Sequence, residues 1–197
     1  MTPALLYLPY LPNINWLQNF VKHETVLIER EENFVKSTLR NRCDIAGANG
    51  KQTLTIPIVG GRDHHQLYTE VRISYTENWQ KKHWQAIRTS YGSAPYFEFY
   101  ADKFEPFYEK KFEFLFEFNL EVMKTTLTVL KFNKNFELTN LFEENCSEKI
   151  DLRNDKGFAG IKYYQVFEER KGFIPNLCAL DLIFNEGNRS GEILRVG

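Results

Sequence analysis

Residues 4–29 read ALLYLPYLPNINWLQNFVKHETVLIE, and this stretch decides the fold class. Ala4 to Leu8 is a short apolar run of the kind that makes a buried strand, and Pro9 and Pro12 end it by removing backbone donors. Asn13 is placed to cap a helix running through about Lys22, with Ile14, Leu17, Phe20 and Val21 on one face. Glu24 to Glu29 follows as a second strand. A connection of this length is too long for a hairpin and long enough for a crossover, so the two strands are expected to be parallel neighbours in a right-handed βαβ unit. In such a unit the loop after the first strand lies at the carboxyl edge of the sheet, where ligands are commonly held. That loop supplies Tyr10, Asn13 and Asn15 as candidate substrate-binding residues.

Beyond residue 29 the periodicity changes. Arg42 to Ile45 and Thr53 to Ile58 read as strands, and Asn49-Gly50 supplies the positive φ of a hairpin turn between them. A further strand is expected at Glu70 to Tyr75. Helical spacing returns from Asn78 to Tyr91, then over Phe97 to Lys110, and over Phe112 to Phe132 as the longest helix. Phe136 to Thr139 is a candidate strand, Gly157 to Gly160 a flexible break, and Pro175 opens a helix over Asn176 to Asn185 that Gly187 ends. These elements make one α/β domain over residues 1–197, with a mixed sheet flanked by several helices.

Composition narrows the function classes. A chain of 197 residues with 43% hydrophobic residues, 17 Phe, 10 Tyr and 3 Trp can bury roughly 70% of its unfolded surface, so neither a disulfide nor a metal is needed for folding. The net charge is −1, which provides no global positive field for nucleic acid. Cys43, Cys146 and Cys178 are an odd set without a CxxC pair, as expected for free thiols in the cytosol. The N-terminus lacks a basic segment, its apolar run is broken by proline, and no membrane insertion is expected. There is no GxGxxG, P-loop, GxSxG or HExxH pattern, so no cofactor and no metal are expected. His64 and His65 have Asp63 as their one close carboxylate and read as loop residues.

Three groups of residues carry candidate chemistry. Lys36, Arg40, Asn41 and Arg42 combine cations and an amide donor beside a Gly-containing turn, which suits a phosphate or carboxylate, or else guards a strand edge with charge. Trp79, Lys82, His83, Trp84 and Tyr91 share one helix, where His83 is either a catalytic base beside a pocket or a hydrogen-bonded core residue. Asn176, Cys178, Asp181, Asn185 and Glu186 cluster in and after a short helix, where Cys178, Asp181 and Asn185 fall on one face and bring together a thiol, a carboxylate and an amide. Asp181 within the apolar run ALDLIF must find partners, as a base or as a structural anchor.

The ordered segments LYLPYLPNINWL, EENFVKSTLRNRCDIAGANGKQTLTIPI, NWQKKHWQAIRTSYGSAPYFEFY and GFIPNLCALDLIFNEG resemble the WbqC-like proteins over nearly the whole chain, in a branch with RNRC and GANG signatures. The resemblance implies bacterial surface-polysaccharide (O-antigen) biosynthesis, with transfer of glycine or a similar acyl unit to an amino sugar. Many relatives begin the first loop with Gln-Pro, whereas this chain has Tyr7-Leu8, and Pro12-Asn13-Ile14-Asn15-Trp16 follows. The common form of that loop is similar to the HxGH loop of nucleotidylyltransferases, which implies a distant likeness of the N-terminal half to those enzymes. Both of their His residues are missing here, so phosphoryl transfer by that route is not expected. Two readings follow. One is a cytoplasmic acyl or aminoacyl transferase acting on a nucleotide-linked amino sugar, with Lys36, Arg40 and Arg42 on the phosphates and His83 or Asp181 as base. The other is a noncatalytic binding or scaffold protein of the same fold.

Overall fold

The computed structural model describes residues 3–60, 66–140, 158 and 160–196. Strand β1 (Ala4–Tyr7) is followed by helix α1 (Ile14–Lys22) and strand β2 (Val26–Glu29). The two strands pair in parallel, from Ala4 opposite Val26 to Tyr7 opposite Glu29, as the crossover length requires. Asn13 caps α1 by accepting from the Trp16 N–H at 2.9 Å. The Trp16 indole donates to the Tyr7 carbonyl at 2.9 Å, tying the helix to the end of β1.

Strands β3 (Arg42–Gly47) and β4 (Gly50–Thr55) form the expected antiparallel hairpin, with Arg42 opposite Thr55 and Gly47 opposite Gly50. The turn proper is Ala48–Asn49. Gly50 alone takes the positive φ, at 105°, so β4 begins and ends earlier than the reading of Thr53 to Ile58. Pro57 lacks the N–H that a continued ladder would use. The residues expected as a strand at 70–75 instead follow a 3-10 turn at Tyr68–Glu70 and make isolated bridges, Ile73 to Ile58 and Arg72 to Phe114.

Helix α2 (Trp79–Tyr91) matches its expectation, with the Asn78 side chain capping it. Helix α3 (Phe97–Phe104) is shorter than Phe97 to Lys110 and passes into a 3-10 turn at Glu105–Tyr108, because Pro106 cannot donate to the preceding turn. Helix α4 (Leu115–Val129) is likewise trimmed from Phe112 to Phe132. Its entry is occupied by extended backbone pairing, Leu115 N–H to Val71 O at 2.8 Å and Ile73 N–H to Glu113 O at 3.0 Å, and its exit by Lys131 at φ 57°.

Strand β5 (Phe136–Leu138) joins β2 in parallel, giving the order β1-β2-β5. Among the described residues, the expected single mixed sheet is thus two separate sheets, one wholly parallel with three strands and one antiparallel hairpin. After the short helix α5 (Glu168–Lys171) come α6 (Ala179–Glu186) and α7 (Ser190–Val196). Helix α6 starts three residues later than expected, because Asn176 sits in the left-handed region at φ 59°. One continuous hydrophobic cluster runs from β1 through α1, α2, α4 and α6. His64, His65, Cys146, and Gly157 and Ala159 of the 157–160 break lie outside the described residues.

Candidate functional site

At the carboxyl end of β1, three chain segments are laced together by backbone hydrogen bonds. Tyr10 N–H donates to Leu39 O at 2.8 Å, Ile14 N–H to Leu177 O at 3.2 Å, Ala179 N–H to Pro12 O at 2.8 Å and Cys178 N–H to Asp44 O at 2.9 Å. Between them lies a cavity of about 210 Å³ walled by Leu11, Asn13, Leu39, Cys43, Asp44, Lys51, Phe158, Pro175 and Asn176. The first loop, the RNRC strand and the segment before α6 therefore converge, as the position of the loop in a βαβ unit suggests.

Asp44 is the one carboxylate on this wall among the described residues. It accepts from Thr53 Oγ1 at 2.6 Å and pairs with Lys51 Nζ at 2.9 Å. The sequence reading missed both Asp44 and Lys51. Strand alternation places Asp44 and Thr53 opposite each other on one hairpin face, with Lys51 two residues along, and that pattern was the available signal. The Asn15 N–H donates to Asn176 Oδ1 at 2.9 Å, so these two residues hold the first loop against the segment before α6.

The other sequence candidates are placed differently. Lys36 is exposed and off the cavity. The guanidinium of Arg40, 4% exposed, is engaged by Glu32 through bonds of 2.7 and 2.5 Å and lies over the Tyr7 ring. The anion clamp of Lys36, Arg40 and Arg42 therefore does not assemble: a buried carboxylate already fills the fork of Arg40. Arg42 is half-buried with its Nε unpartnered. Asn41 is buried and donates to Ile56 O at 3.2 Å.

His83 lies behind the cavity rather than on its wall. Its Nδ1 is 3.1 Å from the Tyr10 hydroxyl, which is 2.8 Å from that of Tyr108, while the other side of the ring reaches the Thr55 backbone carbonyl. Burial lowers its pKa to about 4, so the imidazole is neutral near pH 7. With one nitrogen donating to Thr55, Nδ1 must accept from Tyr10. Burial also pushes the Tyr10 and Tyr108 phenols and the Cys43 thiol upward.

Asp181 is fully buried in α6. It accepts from Tyr163 at 2.6 Å and Gln165 at 2.9 Å, with the Tyr91 hydroxyl beside it. Burial raises its pKa to about 6 against the lowering effect of those donors. Gln165 in turn bonds both backbone groups of Ile174 at 2.9 Å, so Asp181 anchors the 163–174 segment. Asn185 donates to the Asp181 carbonyl at 2.7 Å within the same helix. Neither Asp181 nor Asn185 reaches the cavity.

Among the described residues, no group of three His, Cys, Asp or Glu could hold a metal, and no helix is long and apolar enough to cross a membrane. The fold and cavity define a small α/β protein with a polar recess at the carboxyl edge of a parallel sheet. Residues 9–155 match the model of the WbqC-like protein family, and the chain belongs to that family. It is 25% identical over 225 aligned residues to "Uncharacterized protein Rv1507c" of Mycobacterium tuberculosis, covering 98% of this chain and 96% of the relative. No solved structure matches the chain, and the likeness to nucleotidylyltransferases finds no support there.

Proposed function

We propose that the protein is a cytoplasmic transferase of surface-polysaccharide biosynthesis that moves a small acyl or aminoacyl group onto a nucleotide-linked amino sugar. The observation that carries this reading is the convergence of Asn13, Asp44, Lys51 and Asn176 on one small polar cavity. A recess of about 210 Å³ is smaller than the usual drug-sized pocket and suits one sugar ring or one acyl unit. Amide groups match sugar hydroxyls, and the carboxylate beside a lysine matches an amine. In the transfer, the sugar amine attacks the acyl carbonyl carbon, the C–N bond forms, the donor's leaving group departs with the bonding pair, and a base takes the amine proton. Asp44 takes that role in preference to His83 and Asp181, which are buried away from the wall.

A noncatalytic binding protein is the second reading, and it is favoured by the Asp44–Lys51 pair, which leaves the carboxylate already bonded at both oxygens. Calorimetric titration with nucleotide-linked amino sugars, followed by an acyl-transfer assay, separates the two. For a transferase, Asp44→Asn lowers turnover of bound substrate by about 100-fold or more, the usual span for loss of a general base, beyond any weakening of binding. Binding without turnover for any acyl donor establishes the second reading. No binding by the parent protein overturns both.

A further inference from the structure

The outer face of α2 carries a second site. Lys81, Trp84 and Arg88 are spaced i, i+3 and i+7, so a partly exposed indole is flanked by one cation on each side along the helix. They line a groove of about 680 Å³ with Tyr108 and Glu109. The Trp84 ring is held flat by stacking on Tyr108 at 5.4 Å and Phe97 at 6.2 Å. Its Nε1 donates to Glu105 at 2.7 Å, so the ring is fixed in place. Lys81 and Arg88 are exposed and have no carboxylate within ion-pair distance among the described residues.

This groove is related to the candidate cavity through a neighbour that shares wall residues with each. Gln85 and Thr89 line both it and a neighbouring groove of about 670 Å³ between α2 and the hairpin tip, and Lys51 lines both that neighbour and the cavity. The second groove adds Lys82, whose partner Glu77 is itself exposed. Lys51, Lys81, Lys82 and Arg88 thus stand along the walls of adjacent grooves between a fixed aromatic ring and a small polar recess.

We propose that the Lys81–Trp84–Arg88 face is a nucleoside-diphosphate site, with the base against Trp84, the ribose hydroxyls toward Glu109 and Lys81, where Gln80 bonds the Phe107 and Lys110 carbonyls, and the phosphates on Arg88 at the other end. An aromatic ring with an exposed guanidinium one turn beyond it matches a ligand that is itself flat at one end and anionic at the other. The carboxylate of Glu109 suits hydroxyl donors and disfavours a phosphate at that end of the groove. The assignment rests on the reading of the chain as a protein for nucleotide-linked sugars, and it moves phosphate recognition from Arg40 and Arg42 to α2.

The test uses the full chain with uridine diphosphate, guanosine diphosphate and inorganic pyrophosphate, followed by tryptophan fluorescence and calorimetry. Trp16 and Trp79 are 0% and 3% exposed, so quenching reports on Trp84. Nucleoside diphosphates are expected to quench saturably, and Trp84→Leu to weaken their calorimetric binding at least about tenfold. The double variant Lys81→Gln/Arg88→Gln, confined to exposed side chains, should weaken binding at least about tenfold with an unchanged Tm. No quenching by either nucleotide, undiminished binding by the double variant, or pyrophosphate binding as tightly as the nucleotides overturns the site. If uridine diphosphate binds as described but an attached amino sugar adds no Lys51-dependent affinity, the groove stands and the cavity reading fails. A Lys51-dependent sugar contribution without dependence on Lys81 and Arg88 gives the converse.

Discussion

Arg40 and Glu32 are 4% and 6% exposed and locked fork to carboxylate, so removal of one partner strands the other charge in the core. Arg40→Ala is expected to lose about 3 to 5 kcal/mol of stability in urea denaturation, with much of it recovered in the Arg40→Met/Glu32→Leu pair. Retained stability with lost ligand affinity would restore Arg40 to the anion clamp. His83 and Asp181 make a second pair of residue-level predictions, with opposite signs. His83, at about 4 when folded against an ordinary value near 6.5, binds fewer protons folded than unfolded between those limits, so its contribution to stability rises with pH there. Asp181, at about 6 when folded against an ordinary value near 3.9, binds more protons folded than unfolded, so its contribution falls as pH rises from about 4 to 6. Melting curves across pH 4 to 6.5 should therefore tilt upward with pH in Asp181→Asn and downward in His83→Gln, relative to the parent. The same tilt in both variants would show that one of the two groups does not titrate as its burial dictates.

Elements whose hydrogen bonds are local were legible in the sequence, and those completed from afar were not. Asn13 caps α1 three residues on, and Gly50 closes a hairpin whose strands are adjacent, so the βαβ unit and the hairpin could be read from spacing alone. Residues 70–75 have the composition of a strand, yet their partners are Ile58 and Phe114, and the same pairing trims the start of α4. The cavity was half legible for the same reason. Its first-loop residues follow from the βαβ geometry, whereas Lys51, Phe158 and Pro175 come from segments far apart in the chain. Gly187 shows the reverse, a position where a sequence signal proves more constrained than its role as a helix stop. It ends α6 at φ 54°, and a Cβ there would come within 2.5 Å of the Tyr96 ring, whose own N–H bonds Phe184 O at 2.9 Å. Gly187→Ala is therefore expected to cost about 2 to 4 kcal/mol, combining left-handed strain with overpacking. Gly50→Ala, at φ 105° with nothing within 4 Å, should cost only the strain, about 1 to 2 kcal/mol. Equal losses in a chemical denaturation series would mean that the Tyr96 ring yields freely.

Across the whole molecule, a sheet of three short strands cannot by itself bury a core of this size, and the aromatic residues of the helices supply the rest. Trp16 stacks on Phe20 at 5.4 Å beside β1, while Trp79 packs edge-on to His83 at 5.0 Å and to Phe118 at 5.7 Å on the α2 side. Between these two reporters the Tyr10 hydroxyl bridges to His83 and Tyr108, so the first loop cannot separate from α2 without exposing polar groups that have no water to replace their partners in the core. A chain in which one hydrophobic cluster spans both sides is expected to unfold as one cooperative unit. Two variants retaining either Trp16 or Trp79 as sole tryptophan, the others changed to Phe, are expected to give the same urea midpoint by fluorescence as by far-ultraviolet circular dichroism. Tyr10→Phe should leave those midpoints coincident while lowering both, because it removes the hydroxyl from His83 Nδ1 and Tyr108 together, at about 1 to 3 kcal/mol for buried partners left unsatisfied. A Trp79 transition that separates from that of Trp16, in the parent background or after Tyr10→Phe, would instead divide the molecule into a sheet unit and a helical unit that meet at the Tyr10–His83–Tyr108 contacts.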